Sequence, residues 1–268
     1  MRHLFVASLL TSFLTVPALA VAQDASPPEK PWYQADKYFG AEDMDEARKE
    51  LLHEGGAQST FMYIGDRLET QFDGDNNEVL VWDSNAWFGK SLHKLYFKSE
   101  GEYSWDDEEI EEGEVQALYS RGISTFFDVQ AGVRYDFEPK GRTHAVLGLQ
   151  GFAPYMFEVD AALFLSTDGD LTARIEAEHE QMITQRLIIQ PRVEGVFAAQ
   201  DNAAFGEGEG FSSLDLGLRL RYEILDRKFA PYIGVEWQSA FGNTENFIKA
   251  DGGDSSKVVG LIGIRTWF

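Results

Sequence analysis

The chain has 268 residues, 45 acidic against 23 basic ones, a formal net charge of −22, 44% hydrophobic residues and no cysteine. That charge excludes a nucleic-acid-binding role, for which a basic surface is needed, and the missing cysteines exclude disulfides as a source of stability. The chain is also 13% aromatic and holds 25 glycines, so large apolar side chains and many charges must share the same segments.

Residues 1–22 read as a secretory signal peptide. Arg2 and His3 precede an apolar run from Leu4 to Val16, Pro17 breaks it, and Ala18-Leu19-Ala20 offers small residues at alternate positions. Cleavage after Ala20 or Ala22 fits this pattern. The run is too short to span a bilayer of about 30 Å, and no later apolar run reaches the ~18 residues of a membrane helix. Residues 23–58 form an acidic arm expected in the periplasm. "DASPPEKP" is a proline-containing leader, and "AEDMDEARKELLHEGG" predicts a short helix that ends at Gly55-Gly56.

From residue 59 onward the pattern has a period of two. In "TFFDVQAGVRYDF", Phe127, Val129, Ala131, Val133, Tyr135 and Phe137 share one face, and Asp128, Gln130, Gly132, Arg134 and Asp136 the other. "YMFEVDAALFL" and "SSLDLGLRLRYEI" repeat it. A strand puts successive side chains on opposite faces, whereas an amphipathic helix needs a period of 3.6. About twelve such segments fall near 61–72, 79–89, 92–103, 114–122, 125–137, 143–153, 155–166, 171–182, 185–199, 213–224, 229–240 and 257–268. Each is close to the ~9–11 residues that a tilted strand needs to cross a membrane. The fold class is therefore all-β: a transmembrane antiparallel up-and-down β-barrel of about 12 strands, residues 59–268, with a short acidic N-terminal periplasmic arm.

Three features favour this over a soluble barrel with an apolar interior. Charges and glycines alternate on the polar face, as expected of a crowded lumen. Trp82, Trp105, Tyr155, Tyr222, Trp237 and Trp267 mark strand ends, like interfacial girdles. Short connections ("GKS", "GIS", "AP", "IT", "LDRK") alternate with long ones ("SWDDEEIEEG", "QDNAAFGEGEGFS", "FGNTENFIKADGGDSS"), as expected of periplasmic turns and extracellular loops. Phe268 closes an alternating last strand, a signal of the kind read by the barrel-assembly machinery.

The expected lumen face carries Arg134, Arg174, Arg192, Arg219, Arg221 and Arg265 against Asp136, Glu158, Asp160, Glu176, Glu178, Glu194, Asp215, Glu223 and Glu236. Opposite charges there are expected to pair across strands and brace the barrel. The stretch from "GEVQALYSRGISTFFDVQAGVRYDF" to "LIIQPRVE", together with "LGLRLRYEILDRKFAPYIGVEW" and "WDSNAWFGKSLHKLYFKSEGE", resembles the copper resistance protein B family over about Asp66–Phe268. The resemblance implies an outer-membrane barrel of Gram-negative bacteria that contributes to copper resistance, by binding copper or passing it across the membrane. The implied partners are copper ions, outer-membrane lipid and periplasmic copper-resistance proteins, with the barrel a monomer. Many members carry a methionine- and histidine-rich segment before the barrel. Here the arm offers only Met44 and His53 among carboxylates, so copper storage by the arm does not transfer.

Thioether sulfur suits copper(I), and parity suggests a ligand set. Met156 shares the lumen face with Glu158, and Met182 with Glu180, at the expected periplasmic ends of the seventh and eighth strands. His144, at the outer end of the sixth, is a separate candidate. The histidines His53, His93, His144 and His179 stand in no serine-histidine-asparagine pattern, so no enzymatic activity is expected. The alternative function is a narrow general porin or a structural barrel without metal specificity.

Overall fold

The computed structural model describes residues 33–51, 59–74, 77–224, 227–250 and 252–268. The expected signal peptide, the whole proline-containing leader, His53 and the expected helix end at Gly55-Gly56 lie outside them. The chain divides into two units, Met1–Gln58 and Ser59–Phe268. In the first, α1 (Asp36–Phe39) and α2 (Ala41–Leu51) flank Gly40, whose φ of 83° turns the chain between them. Arg48 staples the two helices, reaching Asp36 at 2.6 Å and Asp45 at 2.8 Å, with its guanidinium over the Tyr33 ring.

The second unit is one sheet. Its strands are β1 (Thr60–Phe72), β2 (Glu78–Lys90), β3 (His93–Ser104), β4 (Glu109–Gly122), β5 (Phe127–Glu138), β6 (Arg142–Ala153), β7 (Phe157–Ser166), β8 (Leu171–His179), β9 (Gln181–Met182), β10 (Leu187–Ala198), β11 (Gly210–Tyr222), β12 (Phe229–Ala240) and β13 (Ser256–Trp267). β8 and the two-residue β9 both pair with β10 in one register and form a single stave interrupted at Glu180. Every neighbour is antiparallel and follows in chain order, and β1 pairs with β13 (Thr70↔Ile262) to close the sheet. The result is a closed barrel of twelve staves. Closure leaves no strand edge without hydrogen bonds, which a hydrocarbon surrounding demands. Phe268, one residue past β13, still exchanges backbone hydrogen bonds with Tyr63 at 2.9 and 3.0 Å.

The two faces follow the period of two. Val133, Leu147, Leu149, Ile175, Leu216, Leu218, Ile233, Val235 and Ile262 are exposed on the outside, a continuous apolar surface suited to lipid. Trp82 departs from the girdle expectation. It lies inside β2 with its ring over Gly101, where a Cβ would come within 2.3 Å of it. Inside, charges are not the only tenants. A cross-strand row of Trp87, Tyr96, Leu118, Gly132, Val146 and Phe164 runs over β2–β7, and four of its members form a buried apolar cluster. This sector narrows the lumen from one side.

The acidic run "SWDDEEIEEG" departs from the long loop expected of it. It is not an open loop, because β4 begins at Glu109. Ser104 Oγ accepts from the Asp107 amide and Glu108 adopts φ 57°, so the chain reverses at 105–108. Glu111 is then the extra residue of a β-bulge between Glu102↔Glu112 and Tyr103↔Ile110. The ladder captures these carboxylates because pairing satisfies their backbone groups. The long connections are 199–209 and 241–255. The second contains α3 (Gly242–Ala250), tied to the first by Asn243 to Asp201 (2.9 Å) and Gly208 to Thr244 (2.8 Å). The Glu209 amide and the Asn243 side chain hold the Asp201 carboxyl below its usual range. A cysteine at Glu109, in a chain with none of its own, is expected to react with an impermeant maleimide on intact cells. Labelling only after rupture of the outer membrane would invert the orientation.

Candidate functional site in the lumen

The inner face becomes a site because alternation delivers one inward side chain every second residue on twelve staves. Regular alternation does not account for all of them. Between Gly65↔Ser84 and Arg67↔Asp83 the β1–β2 register shifts, and Asp66 is the extra residue. A bulge lets consecutive residues face the same way, so Asp66 and Arg67 both line the lumen. Asp66 takes hydrogen bonds from Arg265 Nε (2.8 Å) and Asn85 Nδ2 (2.8 Å).

Two cavities occupy the interior. A vestibule of about 1050 Å³ opens at the end that carries the loops 199–209 and 241–255. Among the described residues lining it are thirteen carboxylates, including Glu102, Glu111, Glu112 and Asp215, against five cations. Its field therefore attracts cations. Glu102 and Glu112 face each other across β3 and β4. A smaller cavity of about 110 Å³ lies deeper, lined by the carboxylates Asp66, Glu158, Asp160 and Glu178 and the cations Lys98, Arg67 and Arg219 among others.

Ion pairs cross the space between and below these cavities. Arg174 on β8 reaches Glu100 on β3 (2.6 Å) and Glu114 on β4 (2.9 Å). Arg67 joins Glu100 (2.9 Å) and Arg134 joins Glu114 (2.9 Å), with Arg134 and Arg174 both over the Phe164 ring. Lys98 on β3 meets Asp160 on β7. Nearer the other mouth, Glu180 accepts from Arg265 (2.6 Å) on β13 and sits 2.7 Å from Arg221 on β11. On the far wall Arg219 holds Glu69 (2.7 Å) and Glu236 (2.9 Å), and the Tyr232 hydroxyl donates to Glu69 (2.9 Å). Sequence alternation foresaw bracing between adjacent strands. The structure adds braces between staves far apart in the sheet.

The sequence-derived metal ligands occupy different settings. Glu158 lines the inner cavity and pairs in register with Glu178. Glu180 is engaged by its two arginines. Met156 sits in the 3-10 turn Pro154–Met156 just before β7, and Tyr155 and Met156 take φ values of 67° and 63°. That left-handed conformation interrupts the regular alternation just before β7. Met182 keeps register with Ile188 on β10, and both thioethers are exposed. His144 is buried, with Nε2 2.8 Å from Asp136 Oδ2 and 3.1 Å from Arg142 Nε. His179 faces outward and stacks on Phe157 with ring centroids 4.8 Å apart. Among the described residues, no group of three or more His, Cys, Asp or Glu is arranged to hold a metal ion.

The inward residues of β1–β4 were not singled out in the sequence. Arg67, Glu69, Glu100 and Glu114 belong to the network as fully as the arginines of later strands. Period-two alternation through Glu100, Glu102 and Lys98 carried the signal for β3, but the β1 bulge broke it for Asp66 and Arg67.

A family model described as Copper resistance protein B precursor matches residues 59–268, the whole barrel. The chain belongs to the copper resistance protein B family. It is 41% identical over 209 residues to Copper resistance protein B of Escherichia coli, covering 78% of this chain and 69% of the relative. It is 38% identical over 218 residues to the Copper resistance protein B homolog of Pseudomonas syringae pv. tomato, covering 81% and 72%. Among solved structures, the NanC porin overlays with a TM-score of 0.48 at 12% identity, covering 77% of this chain and 99% of the porin. The KdgM porin overlays at 0.43 and 9% identity, covering 78% and 99%. Membership of the family thus rests on the sequence match over residues 59–268, and the barrel on its own strand pairing.

Proposed function

We propose that this barrel serves copper resistance at the outer membrane by drawing copper ions into its acidic vestibule and holding them there, rather than by passing them freely. The observation that carries this reading is the excess of carboxylates around the vestibule, above a lumen crossed by ion pairs. An anionic, low-dielectric cavity raises the local concentration of any cation that enters. Carboxylate oxygens and the His144 imidazole suit copper(II), and thioethers suit copper(I). Within this proposal Met156 and Met182, each two residues along the chain from Glu158 and Glu180 respectively, take copper(I) at the inner mouth, and His144 is an outer ligand. The role is non-enzymatic. Export by the segment 1–22 and recognition of Phe268 by the assembly machinery bring the chain to its membrane.

Copper(I) titration of the detergent-solubilised chain against a competing chelator tests the inner ligands. Met156→Leu/Met182→Leu nearly keeps side-chain volume and removes both sulfurs, so weaker binding is expected. Unchanged affinity in that double variant eliminates the thioether site.

A further inference from the structure

Five residues, Arg67, Glu100, Phe164, Arg174 and Arg192, line both the vestibule and the inner cavity. They are the partition between the two. Arg192 pairs with Glu176 on the adjoining β8 and with Glu194 on its own strand, so it stays on its wall. Arg67 spans only from β1 to β2 and β3. Arg174 reaches much further. Its guanidinium leaves β8 and holds carboxylates on β3 and β4, with β5, β6 and β7 lying between these staves around the barrel.

We propose that Arg174 is the bolt of a gate, and that releasing its hold on Glu100 and Glu114 joins the two cavities into a cation-selective pore. The bolt is a planar fork, which binds two carboxylates at once where a lysine offers one point charge. Phe164 supports it from one side, 5.5 Å from the guanidinium carbon. Withdrawing it removes a large side chain from the lumen. It also leaves Glu100, Glu114 and Glu194, 3.6 Å from its Nε, facing the opened path. These three are already among the vestibule's thirteen carboxylates, so losing the Arg174 charge leaves the path more anionic, and it favours small cations over chloride. This inference concerns inorganic cations in general and stands apart from copper binding.

The test is planar-bilayer recording of the full chain in copper-free KCl. Each variant is first checked for assembly by its heat-modifiable migration. The wild type is expected to show no channel steps. Arg174→Ala is expected to gain them, with a reversal potential under a KCl gradient on the potassium side. Arg174→Lys is expected to give brief, flickering openings, because one ammonium cannot span both glutamates. If Arg174→Ala does not assemble, Arg174→Gln is read in its place. Wild-type currents as large as the variant's overturn the gate, and so does a silent, assembled Arg174→Ala. Steps seen only after adding Lys98→Ala move the bolt to the Lys98–Asp160 pair and also overturn it. Chloride-selective steps overturn the selectivity. Copper titration is unaffected by any of these outcomes, so failure here is separable from failure of the copper reading.

Discussion

Glu69→Ala is expected to destabilise the barrel by about 3–5 kcal/mol, the usual cost of removing one partner of a buried ion pair. Glu69 is fully shielded from solvent, and Arg219 and Glu236 beside it are 4% and 2% exposed at their side chains. Alanine would leave the Arg219 fork with Glu236 alone on its carboxylate side and strip the Tyr232 hydroxyl of its acceptor. Most of the loss comes from leaving a buried cation with one carboxylate where it had two and a buried hydroxyl without its acceptor, not from the net worth of the pair. Glu69→Gln keeps shape and one acceptor, so its loss is expected to be smaller. Urea unfolding in lipid vesicles checks the order. A Glu69→Ala midpoint within error of wild type would show that Arg219 is not held as the geometry requires.

Leu218→Arg is expected to cost roughly 2–4 kcal/mol, as for a cation near the bilayer midplane. Leu218 is 43% exposed on the outer face and pairs with Pro191 and Val235, well inside β11. Its neighbour Gly217 faces inward, where an added Cβ would lie 2.5 Å from Arg219 Nη1 and 2.8 Å from Glu236 Oε2. Both of those atoms end flexible side chains, so Gly217→Ala is expected to cost less than Leu218→Arg. The same unfolding experiment compares the two. Normal assembly and stability of Leu218→Arg would reverse the face assignment of β11.

The barrel was largely legible in the sequence because its signal is local. Phe127 to Phe137 and Leu214 to Tyr222 alternate without interruption, and a period of two gives both the strand and its lipid face. Strand limits agreed within a few residues for most staves. The acidic hairpin was different. A run of carboxylates reads as a solvated loop, yet Ser104 and Glu108 form a tight turn and the following glutamates continue the ladder. Bulges were also invisible, because a register shift depends on the partner strand. That is why Asp66 and Arg67 were missed, and why the left-handed turn at Tyr155 and Met156 could not be read from the alternation.

The candidate site was legible as a set of charges and not as an arrangement. Arg174 on the lumen face follows from alternation. Its reach to Glu100 and Glu114 depends on how the sheet closes, and no local pattern records that. Family resemblance gave the copper context, while the long-range ion pairs came only from the closed barrel.

If the acidic vestibule underlies copper resistance, neutralising its carboxylates must lower resistance. The most direct measurement is growth on copper of a deletion strain complemented with wild type or with Glu102→Gln/Glu112→Gln. These two residues oppose each other on the vestibule wall, and the amides keep their size while removing both charges. With both proteins assembled at equal levels in the outer membrane, wild type is expected to restore growth and the double variant to fall short. Full restoration by the double variant would contradict the account.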